Sequence, residues 1–114
     1  TAAGENCHIK DMGDAWTELT GLPFVWALWT GNETLTKPLA DRLRKALDEG
    51  LENLEEISQL AHQQIGISVE EARDYFTNKM AYRLDERFIE GLATYGKFLK
   101  ELNLVEDATL PEWV

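Results

Sequence analysis

Cysteine occurs once in these 114 residues, at Cys7, so no disulfide can form within the chain. A lone thiol is compatible with a reducing compartment. Long apolar runs are missing too. The longest, Leu22 to Trp29, has eight residues, whereas a membrane-spanning helix needs roughly 20. Basic residues are few: 11 Lys and Arg stand against 21 Asp and Glu, a net charge of −10. That balance argues against nucleic-acid binding, whose footprint is clustered positive charge. Neither a nucleic-acid nor a membrane partner is expected. There is no glycine-rich phosphate loop, Gly-x-Ser-x-Gly elbow or zinc-ligand pattern, so no motif names a cofactor or a metal.

What is present, 44% apolar and 28% charged residues, is the composition of a folded segment rather than a disordered one. The length admits one small domain. The first residue is Thr1, and no charged-then-apolar leader follows. The expectation is that the start has been removed or the chain cut from something longer, and an absent signal peptide then carries little information.

Along the chain, Cys7 and Ile9 alternate with His8 and Lys10, the pattern of a short strand. Asp11 can cap a helix whose face carries Met12, Trp16 and Leu19, and Asp14 suits its positive end. Gly21 can close that helix, with Pro23 just beyond. Residues 23–29, Pro-Phe-Val-Trp-Ala-Leu-Trp, are apolar on both alternating faces. This pattern predicts a strand buried on both sides, as in the middle of a layered sheet.

From Thr36 the period turns helical, with Leu39, Leu43, Leu47, Leu51, Leu54, Ile57 and Ala61 at steps of three and four up to Gly66. Such a run would be about 42 Å long, with Gly50 the expected bend. Ser68 with Glu71 forms a capping box opening a third helix, with Val69, Ala72, Tyr75, Phe76 and Met80 inward. Asp85 can cap a fourth, with Phe88, Leu92, Tyr95, Phe98, Leu99 and Leu102 inward and Asn103 as its stop. Leu110 and Trp113 are candidates to dock back.

This inventory holds one central strand, one short strand and about four helices. A lone strand cannot satisfy its own backbone groups, and even a hairpin is marginal. The chain therefore reads as part of a larger α/β protein, most naturally its C-terminal part.

Asp11-Met12-Gly13-Asp14-Ala15-Trp16, followed by Thr20-Gly21-Leu22-Pro23-Phe24-Val25-Trp26-Ala27-Leu28-Trp29, closely resembles a signature of bacterial chorismate dehydratases, which open the futalosine route to menaquinone. Gly50 within a long helix, Tyr82-Arg83-Leu84, Glu90-Gly91-Leu92 and Phe98 are also similar to that family's helical C-terminal region. The resemblance covers nearly all of this chain and about the last two-fifths of the family's length. It implies a two-lobed fold like that of type II periplasmic binding proteins, with ligand in the cleft. Residues 1–22 would end the second lobe and form the hinge. Residues 23–114 would supply a crossover strand and the helical pack of the first lobe.

The implied reaction is a carbon–oxygen lyase step, in which chorismate loses water to give 3-[(1-carboxyvinyl)oxy]benzoate in the cytoplasm, without a cofactor. Thr20, Gly21, Leu22 and Pro23 carry over as cleft or hinge residues. The polar groups that do the chemistry belong by the same resemblance to an N-terminal half, so the chain is expected to be inactive alone and to need that half, or another chain, to complete its sheet.

Three other readings compete. The 1,4-dihydroxy-6-naphthoate synthase of the same pathway shares a similar Thr-Gly-Leu-Pro stretch, but with smaller residues and glycines after the proline. A solute-binding protein of the same fold would use its cleft without chemistry. A self-standing helical interaction domain would need a mate to cover Phe24 to Trp29. Other suggestive residues have plainer explanations. Cys7-His8 lacks partners at ligand spacing, and His62 is remote. Glu55-Glu56, Glu70-Glu71 and Asp85-Glu86 are neighbours that point about 100° apart on a helix, so they suit solvated faces and helix starts. Asn32-Glu33-Thr34 matches a glycosylation acceptor by three residues only. Trp16, Trp26 and Trp29 read as core, with stacking on a planar ligand the alternative for one of them. Gly91 and Gly96, five apart, lack the spacing of a close helix contact.

Overall fold

The structure is a computed structural model that describes residues 7–114. Among these residues there are five α-helices and no strand: α1 (Met12–Thr20), α2 (Lys37–Glu52), α3 (Leu54–Ile65), α4 (Val69–Asp74) and α5 (Glu86–Glu101). They fold as two units. One combines the residues up to Trp29 with Leu84–Glu112, and the other combines Thr30–Arg83 with Trp113–Val114.

In the first unit, α1 begins where Asp11, in extended backbone, accepts hydrogen bonds from the amides of Gly13 at 2.7 Å and Asp14 at 3.0 Å. Two otherwise unpaired helix-start donors are thereby satisfied. The helix closes at Gly21 (φ 72°), whose amide donates to the Thr17 carbonyl at 2.8 Å. Helix α5 is capped by Asp85, which accepts from the Phe88 amide at 3.0 Å. Its end is fastened by two backbone bonds, Asn103 to Lys100 at 3.0 Å and Leu104 to Leu99 at 2.9 Å, with Asn103 left-handed at φ 54°. Asparagine tolerates that conformation better than most residues, so the expected stop stands where Asn103 placed it. The core is aromatic. Trp16, 8% exposed, meets Phe24, Tyr95 and Phe98 edge-on at centroid distances of 5.6, 5.7 and 5.8 Å. After α5 the tail returns against the helix: a Cβ added at Gly96 would lie 3.1 Å from the Ala108 Cβ. Leu110 is half-buried and Trp113 half-exposed.

Residues 23–29 form no strand, and neither do residues 7–10. A strand exists only through hydrogen bonds to a neighbour, and the described residues provide none. The expected two-faced burial is absent as well: Phe24 turns into the aromatic core, while Trp26 is 69% and Trp29 91% exposed. Of the three tryptophans read as core, only Trp16 is.

In the second unit the long helical run is divided at Asn53, three residues after the expected bend. The Asn53 side chain donates to the Glu49 carbonyl at 2.7 Å, and its amide to that of Gly50 at 3.1 Å. Its own backbone leaves the helical region at φ −110° and ψ 26°. Asparagine competes with the helix through such local bonds, whereas Gly50 stays inside α2 with open space beside it. Helix α3 ends at Gly66 (φ 75°). It packs on α4, and each contributes a fully buried small residue, Ser58 and Ala72. The Ser58 hydroxyl donates to the Leu54 carbonyl at 2.7 Å, so no buried donor is stranded.

The capping box is present as expected. Ser68 Oγ accepts from the Glu71 amide at 3.1 Å, and the Glu71 carboxylate accepts from the Ser68 amide at 3.0 Å. The hydroxyl of Ser68 also donates to that carboxylate at 2.6 Å, and these bonds hold the Glu71 carboxyl below the usual carboxylate range. Beyond α4 the chain widens into a π-helical turn, Tyr75–Lys79. On the predicted inner face of the third helix, Ala72 is buried and Phe76 half-buried, but Tyr75 and Met80 are 50% and 41% exposed. Ion pairs Arg73–Glu55 and Arg83–Asp48 tie the unit across its surface.

Candidate functional site

The turn Thr20–Pro23 sits where α1 ends, and its polar atoms are almost all engaged within the first unit. Thr20 Oγ1 donates to the Trp16 carbonyl at 2.8 Å and accepts from the Leu22 amide at 3.1 Å. The Gly21 amide is bound to Thr17, and Thr17 Oγ1 donates to the Leu22 carbonyl at 3.2 Å. From α5, Arg87 Nη2 donates to the Gly21 carbonyl at 2.7 Å. The Pro23 carbonyl faces buried Gly91, where an added Cβ would collide with that oxygen and stand 3.7 Å from the Leu22 Cβ. Proline has no amide proton to give. The four residues named from the sequence are thus brought together as a braced turn, with the hydroxyl proton of Thr20 and the amides of Gly21 and Leu22 already committed.

On the same unit lies an apolar hollow of about 350 Å³, lined by Met12, Ala15, Trp16, Leu19, Phe24 and Tyr95. Trp16 Nε1 is buried there without a hydrogen-bond partner among the described residues. Met12 and Leu19 are 66% and 74% exposed at its rim. The second unit has a smaller hollow, about 220 Å³, lined chiefly by Leu47, Leu51, Leu54, Ile57, Phe76 and Tyr82. Partial burial, with the nearby Tyr75 phenol adding to it, pushes the Tyr82 hydroxyl above the ordinary tyrosine range.

The remaining candidates take local roles. Cys7 and His8 are exposed. His62 closes α3, its Nδ1 2.7 Å from the Ile67 carbonyl; a carbonyl only accepts, so Nδ1 carries the proton. Glu55 pairs with Arg73, Glu71 serves the capping box and Asp85 caps α5. Asn32 accepts from the amide and hydroxyl of Thr34 at 2.9 and 2.6 Å, a loop turn. No group of three or more His, Cys, Asp or Glu side chains suited to a metal occurs among the described residues, and no helix there is long and apolar enough to cross a membrane. Together, the described residues hold a shaped turn and an apolar hollow rather than an assembled nucleophile, base and oxyanion donor set.

Arg87 and Gly91 were not singled out for this site from the sequence. The available signal was Gly91 itself, since a glycine inside a helix is unfavourable and needs a packing reason. Arg87 stands four residues earlier and so on the same face.

The chain belongs to the menaquinone biosynthesis family, whose sequence model matches residues 1–101. Within it, the chain is similar to the chorismate dehydratase of Thermus thermophilus, 30% identical over 94 residues. That alignment takes in 81% of this chain and 34% of the Thermus enzyme, so the chain spans about a third of that relative's length. The chorismate dehydratase resemblance carried by Asp11–Trp16 and Thr20–Trp29 is thereby shown. No solved structure matches.

Proposed function

We propose that the chain is a C-terminal portion of a chorismate dehydratase, a hydro-lyase that removes water from chorismate to give 3-[(1-carboxyvinyl)oxy]benzoate. The observation that carries this reading is the 30% identity to a chorismate dehydratase over 94 residues. On this reading the protein acts in the cytoplasm on a small dicarboxylate. It belongs to a two-lobed fold in which residues 1–22 end one lobe and residues 23–114 contribute to the other. Residues 23–29 become a strand once a sheet is supplied, which accounts for an apolar segment with two exposed tryptophans and no ladder partner. Eliminating water requires groups that hold two carboxylates, orient the departing hydroxyl and take up a proton. The Thr20–Pro23 turn has almost no donor free for that work, so those groups belong to the rest of the enzyme and the chain is inactive alone.

The test is complementation. The chain is mixed with the remaining N-terminal part of a family dehydratase, and chorismate consumption is followed beside each part alone. Turnover in the mixture only is the expected result. A chain that folds alone as a monomer and leaves chorismate untouched in the mixture overturns the reading. Consumption of the naphthoate synthase substrate in its place would transfer the proposal to the sister enzyme.

A further inference from the structure

We infer that Arg87 and Gly91, one turn apart on α5, are positioning residues that hold the Thr20–Pro23 turn in a single geometry. The inference rests on the reading of that turn as a cleft or hinge segment, and the contacts that support it come from α5. Arg87 donates to the Gly21 carbonyl at 2.7 Å, and Gly91 leaves the space that the Pro23 carbonyl occupies. The two contacts grip consecutive parts of the turn, one by attraction and one by the absence of a side chain.

The choice of partner for Arg87 is informative. The chain carries 21 acidic residues, yet among the described residues Arg87 is in no ion pair and its guanidinium is spent on a neutral carbonyl. A surface arginine serving solubility alone needs no such bond. Gly91 points the same way: glycine is unfavourable inside a helix, and it is the missing Cβ that admits the Pro23 oxygen. The turn braces itself from the other side through Thr17 and Thr20. With its own donors committed, the turn acts as a fixed corner and not as a group that grips substrate.

Amide hydrogen exchange on the full chain tests the brace directly. In Arg87→Gln, exchange at Gly21 and Leu22 should rise about tenfold, as expected for losing a charged hydrogen bond. Arg87→Lys, which keeps one charged donor, should recover part of it. Gly91→Ala should loosen the same amides without a change of charge, and the double variant should be no looser than the worse single one. The amides of Glu71 and Ala72, in the other unit, should not move. Unchanged exchange at the turn in both variants, or an equal rise throughout the chain, overturns the inference. If Gly91→Ala fails to fold, the Gln and Lys pair at Arg87 decides alone.

In the complemented dehydratase, Arg87→Gln should lower kcat about tenfold and leave KM for chorismate within about twofold. A raised KM with kcat intact, restored by Lys, would make Arg87 a substrate-carboxylate ligand and overturn the positioning role. Should the unmodified mixture consume no chorismate, the proposed function fails, while the exchange experiment still decides the brace.

Discussion

Each of the two units is held together internally by a different kind of contact. In the unit of α2, α3 and α4, the fastening is mostly between neighbours in sequence: the Ser68–Glu71 box, the Asn53 bond to Glu49, and α3 against the α4 that follows it. The longer ties are two half-exposed ion pairs, Arg73 to Glu55 and Arg83 to Asp48, and a bond from the half-exposed Arg44 to the Val114 carbonyl, surface contacts worth little each. In the unit of α1 and α5, partners lie far apart along the chain: Trp16 meets Tyr95 and Phe98, and Arg87 reaches Gly21. That unit concentrates its stability in one aromatic cluster while leaving Met12, Leu19, Trp26 and Trp29 largely in solvent. The unit built on neighbours also leaves apolar side chains in solvent, Leu39, Leu43, Leu60 and Ile65 among them, and of its residues only Ser58 and Ala72 are fully buried. A unit built on a single cluster with uncovered apolar residues around it is shaped to receive more protein.

The largest expected effect breaks the comparison at that cluster. Trp16→Ala removes the one buried tryptophan and its three edge-on partners, and should cost about 3–5 kcal/mol in denaturant unfolding, in the range of large-to-small core substitutions. Trp29→Ser, 91% exposed, serves as the control and should stay within about 0.5 kcal/mol in the chain alone. Equal losses at the two positions would mean that the unit is not organised around Trp16. In the other unit, Ala72→Leu forces extra methyl groups into a fully buried site against α3. It should cost about 1–3 kcal/mol, read from the same unfolding curves. A neutral result there would show that α3 and α4 can separate to make room.

The same contrast decides what could be read from the residues. Caps and stops were legible at Asp11, Gly21, Gly66, Ser68, Asp85 and Asn103, because each depends on a few adjacent side-chain and backbone groups; Thr36, expected to cap the long run, starts α2 without a side-chain cap bond. The long helix was legible in its period but not in its break. Glycine lowers helix propensity without creating an alternative bond, whereas the Asn53 amide supplies one, and that local competition decided the position. The strand expected at 23–29 was read from side-chain pattern alone, which records a preference for burial. It carries no information on whether a partner strand is at hand. At the candidate site, Thr20–Pro23 stood out by motif. Its brace did not, because a contact between α5 and a turn some 66 residues earlier leaves no periodicity to detect. The traces it leaves are a glycine inside a helix and the Glu90-Gly91-Leu92 stretch that carries part of the resemblance, and neither points to Arg87.

The smallest effect sharpens the view of the neighbour-built unit. Ser68→Ala removes the hydroxyl that caps α4 and should cost about 1 kcal/mol, with the loss of protection greatest at the Glu71 amide. The accompanying pH dependence has a definite sign. Hydrogen bonds from the Ser68 hydroxyl and amide hold the Glu71 carboxyl below its ordinary value in the folded chain. Its contribution is therefore complete above the unfolded carboxylate range and disappears as pH falls through the lowered folded value. Stability of the parent should decline over that acid window, and the decline should be shallower in Ser68→Ala because the larger of the two hydrogen bonds is gone. Asp107, lowered in the same way by the hydroxyl and amide of Thr109, titrates in both proteins and cancels from the difference. Parallel pH profiles for parent and variant would show that the box is already open in solution, and the unit would then rest on its helix packing and surface ion pairs without it.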